Sequence, residues 1–332
     1  MGALLTQMRY FQQQALATST SNTYRSGLTS YTTFCRQTLF TPFPSSELIL
    51  QLYVTSLART VSYNTIKVYL SAIQFYHIMF NFPISIHSMQ RLYYLLRGIR
   101  RSIGSSRSRP LRQPITIQQL RLLLTFIRRT YNHQDSIMLS SAITLAFFGL
   151  LRCSEYTCAN RYQFDPLFTL LVTNVSFSSQ QNVAAIHIKS SKTDPFRSGC
   201  VVRIGALYND ICPVAALINY INIHQTRQGP LYVFTNQIYL TRNHITALLS
   251  TYFPHITNIN THSFRIGGAS AAASAGVADS TIQILGRWSS DAYRRYIRIS
   301  DESVQNITQR VSQVNVFTRF WDNDLNRSEP HE

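Results

Sequence analysis

The sequence predicts a mainly α-helical protein that carries one small antiparallel β-sheet and divides into two domains. Three observations predict it. Apolar residues recur at three- and four-residue spacing through the first hundred positions. Residues 170–205 change character and break into short β-rich runs. Between them, residues 102–114 read Ser-Ile-Gly-Ser-Ser-Arg-Ser-Arg-Pro-Leu-Arg-Gln-Pro, an extended cationic linker of small residues, prolines and arginines. The expected organisation is a helical domain over 1–102, a basic linker over 103–114 and a mixed domain over 115–332.

The elements follow in order. Ser21–Arg36 carries the stripe Tyr24, Leu28, Tyr31, Phe34 and Cys35, and Pro42 and Pro44 close it. Ser45 or Ser46 can cap a helix over Leu48–Leu57, and Ser62 one over Thr65–Met79. In the latter Ile66, Tyr69, Leu70, Ile73, Tyr76 and His77 share a face, opposite Lys67, Ser71 and Gln74. Met89–Arg101 is a further helix ending in Arg97, Arg100 and Arg101. After the linker, Thr116 caps a helix to about Arg129, and Ser136–Leu151 reads as a buried helix. The sheet is expected from Leu170–Phe177, Val183–Ile188 and Cys200–Ile204. Pro213 suits the first turn of a helix to His224. Thr261 is expected to cap a helix to Ala275, and Asp279 or Ser280 a short one ending near Gly286. Ser290 begins another through Ile297. Glu302–Val314 follows, then the aromatic residues Phe317, Phe320 and Trp321 and a short acidic end.

Charge narrows the function. The 332 residues carry 31 basic and 14 acidic side chains, a net of +17. Only 14% are charged, against a typical ~25%, so the excess arises from missing acids. The bases are 28 Arg and three Lys: Lys67, Lys189 and Lys192. Planar guanidinium suits bidentate phosphate recognition, and a polyanion such as nucleic acid is the partner this composition suggests. Residues 1–114 hold a net +11 and residues 115–332 a net +6. Glu47 is the single acid before Asp135.

Other classes recede. The longest strongly apolar stretch, Ser140–Leu151, is about half of the ~20 residues a membrane helix needs. No secretory signal is read at the N-terminus, and Met1-Gly2-Ala3-Leu4-Leu5-Thr6 fits myristoylation only loosely. Cys35, Cys153, Cys158, Cys200 and Cys212 show no CxxC pairing and read as reduced intracellular thiols. With 12% aromatic residues the chain is too rich for disorder.

Three places break the apolar pattern. In Phe147-Phe-Gly-Leu-Leu-Arg152-Cys-Ser-Glu155, an apolar helix is expected to end in Arg152, with Glu155 three residues on. A helix C-terminal arginine answering the macrodipole, with Glu155 as its local partner, explains this equally well. In Ile186-His-Ile-Lys189-Ser-Ser-Lys192-Thr-Asp, two of three lysines sit at one hairpin tip. A solvated turn is the ordinary fate of such residues. Yet a chain that nearly always uses Arg has Lys here, and an ammonium can release a proton that a guanidinium holds. In Thr261-His262-Ser-Phe-Arg265, His262 and Arg265 can face one site at a helix N-terminus, which favours anions. Leu285-Gly-Arg-Trp288-Ser-Ser-Asp-Ala-Tyr293-Arg-Arg-Tyr296-Ile-Arg298 follows. Singly, its Trp and Tyr would be packed aromatics.

In that order, Arg-x-x-Glu, hairpin Lys, His-x-x-Arg, Gly-x-Trp and Tyr, the chain resembles the tyrosine recombinase (phage integrase) family over nearly its whole length. Trp288 and Tyr296-Ile-Arg298 resemble the Cre-like branch, although the Trp288–Tyr296 interval is one residue shorter. The sequence style also resembles recombinases of eukaryotic mobile elements of the Crypton and DIRS kinds. The resemblance implies a helical, SAM-like core-binding domain before a mixed α/β catalytic domain. It implies a catalytic set of Arg152, Glu155, Lys192, His262, Arg265, Trp288 and Tyr296. Tyr296 is the nucleophile, with Tyr293 its rival, and Lys192 protonates the leaving 5′-oxygen, with Lys189 its rival. Glu155 orients His262 or Arg152. DNA contacts are expected from Asn64, Lys67 and Ser71 in the major groove, and from Arg100, Arg101, Arg107, Arg109 and Arg112 on phosphates.

The implied activity cuts and rejoins DNA through a 3′-phosphotyrosyl intermediate without metal, ATP or another cofactor. The implied partner is double-stranded DNA with inverted-repeat sites, bound by a homo-tetramer as one dimer per site, with no membrane or small-molecule substrate. The place of action would be the nucleus for a eukaryotic element, otherwise a bacterial nucleoid. The rivals are a type IB topoisomerase-like enzyme with the same chemistry and a domesticated, non-catalytic DNA-binding protein. In the family a C-terminal helix packs on a neighbouring protomer, which the aromatic tail would suit; docking in cis is the alternative.

Overall fold

A computed structural model describes residues 1–82, 84–104, 110–191, 194, 198–224, 228–299 and 301–313. The chain forms two compact units, Met1–Pro110 and Leu111–Glu332.

The first unit is helical: α1 (Gly2–Gln14), α2 (Thr18–Thr38), α3 (Glu47–Leu57), α4 (Tyr63–Met79) and α5 (Gln90–Ile103). The caps expected at Ser46 and Ser62 are present, accepting from the backbone N–H of Ile49 and Thr65. Tyr31, Cys35, Leu50, Tyr53, Ile66, Leu70, Ile73 and Leu92 build the core. The two buried tyrosines satisfy their hydroxyls on Ser45 (2.6 Å) and Ser30 (3.0 Å), as buried polar groups require. Glu47 is committed internally. Its Oε1 accepts from the Leu92 N–H at 2.9 Å, within the first turn of α5. The single acid of the N-terminal third thus serves an orphan helix donor. The helical reading of the first hundred residues assigned no separate element to α1, whose apolar residues Leu4, Leu5, Met8 and Phe11 are exposed.

The second unit begins with α6 (Ile117–Thr130), closed by a Thr116/Gln119 capping box. Then comes α7 (His133–Phe148). It starts a turn earlier than Ser136 because the Asn132 side chain accepts from the Asp135 N–H at 2.9 Å. It stops at Gly149, after which Leu150 turns left-handed (φ 48°). The four-residue α8 (Cys153–Tyr156) follows. Strands β1 (Val175–Phe177), β2 (Val183–Ile188) and β3 (Cys200–Gly205) form an antiparallel sheet in the order β1-β2-β3. Val175 pairs Ile186, and Ile186 pairs Val202. The inward residues Ala184, Ile186, Ile188, Val202 and Ile204 alternate with outward ones and enter the core. The first strand is shorter than expected. Asn174 Oδ1 accepts from the Leu171 N–H at 3.0 Å, which diverts residues 172–174 into a 3₁₀ turn.

Helices α9 (Pro213–Ile223), α10 (Arg242–Tyr252), α11 (Ser263–Ser274), α12 (Asp279–Gly286) and α13 (Asp301–Ser312) complete the unit. Two expected caps are corrected. Thr261 is buried and does not cap α11, whose N-cap is His262. Asn260 holds the turn instead, its Oδ1 accepting from the His262 N–H at 2.9 Å and its own N–H donating to Ser263 Oγ at 3.1 Å. Ala278 is the N-cap of α12, with Asp279 in the first turn. Ser290 does start the next element, but as a 3₁₀ helix over Asp291–Arg295. The aromatic residues Phe317, Phe320 and Trp321 lie outside the described residues.

α11 packs on α7 at backbone distance. A Cβ on Gly268 would lie 2.2 Å from the Phe147 carbonyl oxygen, and one on Gly267 2.1 Å from that of Ile115. These glycines set the depth at which α11 carries Arg265. All five cysteines are free thiols. Among the described residues, no helix is long and apolar enough to cross a membrane.

Candidate active site

The site is assembled where the α7–α8 turn, the start of α11 and the segment after α12 meet. Arg152 is the N-cap of α8, not the end of the long helix, so the macrodipole reading of it fails. Its Nη1 donates to Glu155 Oε1 and its backbone N–H to Oε2, both at 2.8 Å. Glu155 is buried and its Oε2 also accepts from Arg287 Nη2 at 2.8 Å. The sequence expectation paired Glu155 with Arg152 or His262. The geometry pairs it with Arg152 and with Arg287, a residue that reasoning missed.

Arg265 is wholly buried. Its Nη1 donates to the Leu150 carbonyl and its Nη2 to that of Gly286. Its guanidinium lies 4.4 Å from the Trp288 ring centroid and 5.6 Å from that of Tyr296. Burial, then Arg152 and Arg287, push its pKa below the ordinary guanidinium range. A buried cation facing like charges is an unsatisfied demand for an anion. Among these groups three guanidiniums face one carboxylate, so the pocket holds a surplus of positive charge.

His262 Nε2 lies 2.9 Å from the Tyr296 hydroxyl. Burial lowers its pKa to about 4, helped by Arg112, Arg265, Arg152 and Arg242. The imidazole is therefore neutral at pH 7, and in the tautomer protonated at Nδ1 its Nε2 accepts a hydrogen bond from the tyrosine hydroxyl. Trp288 is buried, its ring 4.8 Å from that of Tyr296. It also packs with Leu150, Ala269, Ile282 and Tyr293, so it is both a core and a site residue. Gly286 permits this: a Cβ there would lie 1.7 Å from the indole. Ser270 anchors the backbone of the Tyr296 segment, donating to the Tyr296 carbonyl at 3.1 Å and accepting from the Arg298 N–H at 2.9 Å. Nothing in the Ala-rich run around Ser270 marked it in the sequence.

The two tyrosines part company. Tyr293 is buried and donates to Asp279 Oδ2 at 3.2 Å. Tyr296 is half-buried and meets His262. Lys189 donates from Nζ to the Pro166 carbonyl at 3.0 Å; Lys192 lies outside the described residues.

In the first unit, Asn64, Lys67 and Ser71 are exposed at i, i+3 and i+7 along one face of α4. Arg100 and Arg101 are exposed at the end of α5, Arg100 5.9 Å from the Tyr63 ring centroid. Arg107 and Arg109 lie outside the described residues. Arg112, in the second unit, is exposed and leads the charges acting on His262. The structure thus brings together Arg152, Glu155, His262, Arg265, Trp288 and Tyr296 of the seven expected catalytic residues.

No family model matches the chain, and no curated protein matches it. Solved structures do. One is the XerH site-specific recombinase bound to its palindromic difH substrate in a post-cleavage complex, with TM-score 0.62 and 14% identity over 88% of this chain and 79% of that one. A second is a lambda integrase dimer bound to a core site, with TM-score 0.56 and 13% identity over 89% and 76%. A third is the Tn1549 transposon integrase in complex with transposon right-end DNA, with TM-score 0.53 and 15% identity over 81% and 86%. The mostly helical architecture with a small three-stranded antiparallel sheet is the fold of these recombinases and integrases.

Proposed function

We propose that the protein is a tyrosine recombinase of the Cre-like kind, which cuts and rejoins double-stranded DNA at inverted-repeat sites to mobilise or integrate a DNA element. The observation that carries this is the 2.9 Å hydrogen bond between His262 Nε2 and the Tyr296 hydroxyl, set beside the buried Arg265. Solved proteins of the same fold were captured on recombination-site or transposon-end DNA, which supports DNA as the substrate.

The chemistry is a phosphoryl transfer. A phosphodiester entering the pocket brings the missing negative charge, and its pentacoordinate transition state brings more. Arg152 and Arg265 meet the non-bridging oxygens, and Trp288 donates from its indole N–H. The Tyr296 oxygen bonds to phosphorus while its proton passes to His262 Nε2. The P–O5′ bond breaks, and the 5′-oxygen takes a proton from Lys192. A tyrosyl ester at the 3′ end then stores the bond energy until another 5′-hydroxyl attacks, so neither ATP nor metal enters the scheme. Asn64, Lys67 and Ser71 read the major groove, while Arg100, Arg101, Arg107, Arg109 and Arg112 hold phosphates. A homo-tetramer, one dimer per site, would bring two duplexes together. In a eukaryotic element of the Crypton or DIRS kind it would act in the nucleus.

The test uses nicked half-site duplexes with a randomised arm, so that the strand released on cleavage is lost and adduct accumulates. The unsubstituted chain should give a covalent protein–DNA adduct. Tyr296→Phe should give none, and Tyr293→Phe should retain it. Adduct from Tyr296→Phe, or none from the unsubstituted chain, contradicts the proposal. Lys192→Ala should slow cleavage of ordinary duplex but not of duplex with a 5′-bridging sulfur, whose thiolate leaves without a proton.

A further inference from the structure

We infer that Arg287 is a positioning residue of the strand-transfer site, holding both phosphate-binding guanidiniums in place through Glu155 and the Leu150 carbonyl. The inference rests on the strand-transfer reading above. Arg287 closes α12 in a left-handed conformation (φ 56°), between Gly286 and Trp288. From there its side chain spans to the α7–α8 turn. Nη1 donates to the Gly149 carbonyl at 3.3 Å, and Nη2 to the Leu150 carbonyl at 3.2 Å and to Glu155 Oε2 at 2.8 Å.

Each of the last two acceptors is shared with a proposed phosphate ligand. Glu155 also binds Arg152, and the Leu150 carbonyl also binds Arg265. Leu150 is itself left-handed (φ 48°), a conformation that costs a non-glycine residue energy unless its surroundings hold it. Two guanidiniums converging on its carbonyl supply that hold.

Arg287 is the group that touches both shared acceptors, its Nη2 meeting the Leu150 carbonyl and Glu155 Oε2 together. Packing a third guanidinium against two others is electrostatically unfavourable. The charge is explained if the arrangement is completed by the anion it prepares for. Lysine would be a poor substitute, because one ammonium lacks the planar fork that reaches carboxylate and carbonyl together.

The test measures adduct formation at saturating full-length protein on two versions of the duplex recovered in the half-site experiment. One has an ordinary scissile phosphate. The other has a neutral methylphosphonate there, which removes the charge that Arg152 and Arg265 meet. Arg287→Met should slow the phosphodiester reaction on the order of 10²-fold, the effect of misplacing one such donor. DNA affinity should stay within about threefold. On the methylphosphonate the deficit should shrink to less than about tenfold, as it should for Arg152→Ala. Combining Arg287→Met with Glu155→Gln should cost no more than the worse single change. Arg287→Lys, which keeps the charge in the fold, should show the same substrate dependence to a smaller degree.

Equal deficits on the two duplexes, in both Arg287 variants, would reduce Arg287 to a fold-stabilising residue and overturn the inference. So would the absence of any deficit. If the unsubstituted chain forms no adduct, the strand-transfer reading itself fails and the inference falls with it.

Discussion

Tyr293 and Tyr296 stand three residues apart in one motif, and their surroundings give them different work. Tyr293 is buried and bonded to a carboxylate; removing its hydroxyl should cost about 1 kcal/mol of stability, read by urea denaturation, and spare the chemistry. Tyr296 faces a histidine that burial and guanidiniums keep neutral. That histidine also predicts a pH dependence of folding. Its folded pKa, about 4, lies below the ordinary 6.5. Between those values the unfolded chain takes up a proton that the folded chain refuses, so stability is full above pH 6.5 and falls as pH drops toward 4. In the free protein, His262→Asn should therefore flatten the fall of Tm over this window, measured by calorimetry. An unchanged slope would show that His262 is not held neutral. At this scale the sequence singled out six residues that the fold gathers, Arg152, Glu155, His262, Arg265, Trp288 and Tyr296, because their types and order are unusual together. It did not mark Arg287 or Ser270, and it marked Asp279 as a helix cap without its tie to Tyr293. Their partners are 132, 26 and 14 residues away, and only the fold brings them together.

The helices and strands were legible where local physics decides them. Ser46, Ser62 and Thr116 cap as their side chains require, and β2 alternates as its pattern demands. Departures occur where a side chain competes with the backbone: Asn132 starts α7 early, and Asn174 shortens β1. Helix α10 escaped because its polar first turn, closed by Thr241 and His244, carries a weak apolar signal. The element that matters most is α11, whose two glycines let Arg265 approach the α7–α8 turn. Gly268→Val should place side-chain atoms against the Phe147 carbonyl, where a Cβ alone already stands at 2.2 Å. A loss of more than about 2 kcal/mol is expected in urea denaturation. Retention of full stability would mean that α11 and α7 are less tightly joined than the structure describes.

For the molecule as a whole, the net charge of +17 is unevenly used. Residues 1–114 carry +11, and their one acid is tied to the α5 N-terminus. The first unit therefore presents a surface almost free of carboxylates, as a phosphate-backbone partner requires. Duplex binding should weaken steeply with salt between roughly 50 and 300 mM, and Arg100→Ala with Arg101→Ala should lower the log–log slope by about two. A flat salt dependence, followed by fluorescence anisotropy, would exclude a phosphate-gripping role. In the second unit the charge is concentrated instead: Arg152, Arg265 and Arg287 surround one carboxylate beside one tyrosine.

That tyrosine can be identified without any substitution. Trypsin cuts after arginine, so it separates Trp288–Arg294, which contains Tyr293, from the tripeptide Tyr296–Arg298. Mass spectrometry of the digested protein–DNA adduct should find the 3′-nucleotide on the tripeptide. Nucleotide on the Trp288–Arg294 peptide, or on neither, would contradict the assignment of Tyr296 as the nucleophile.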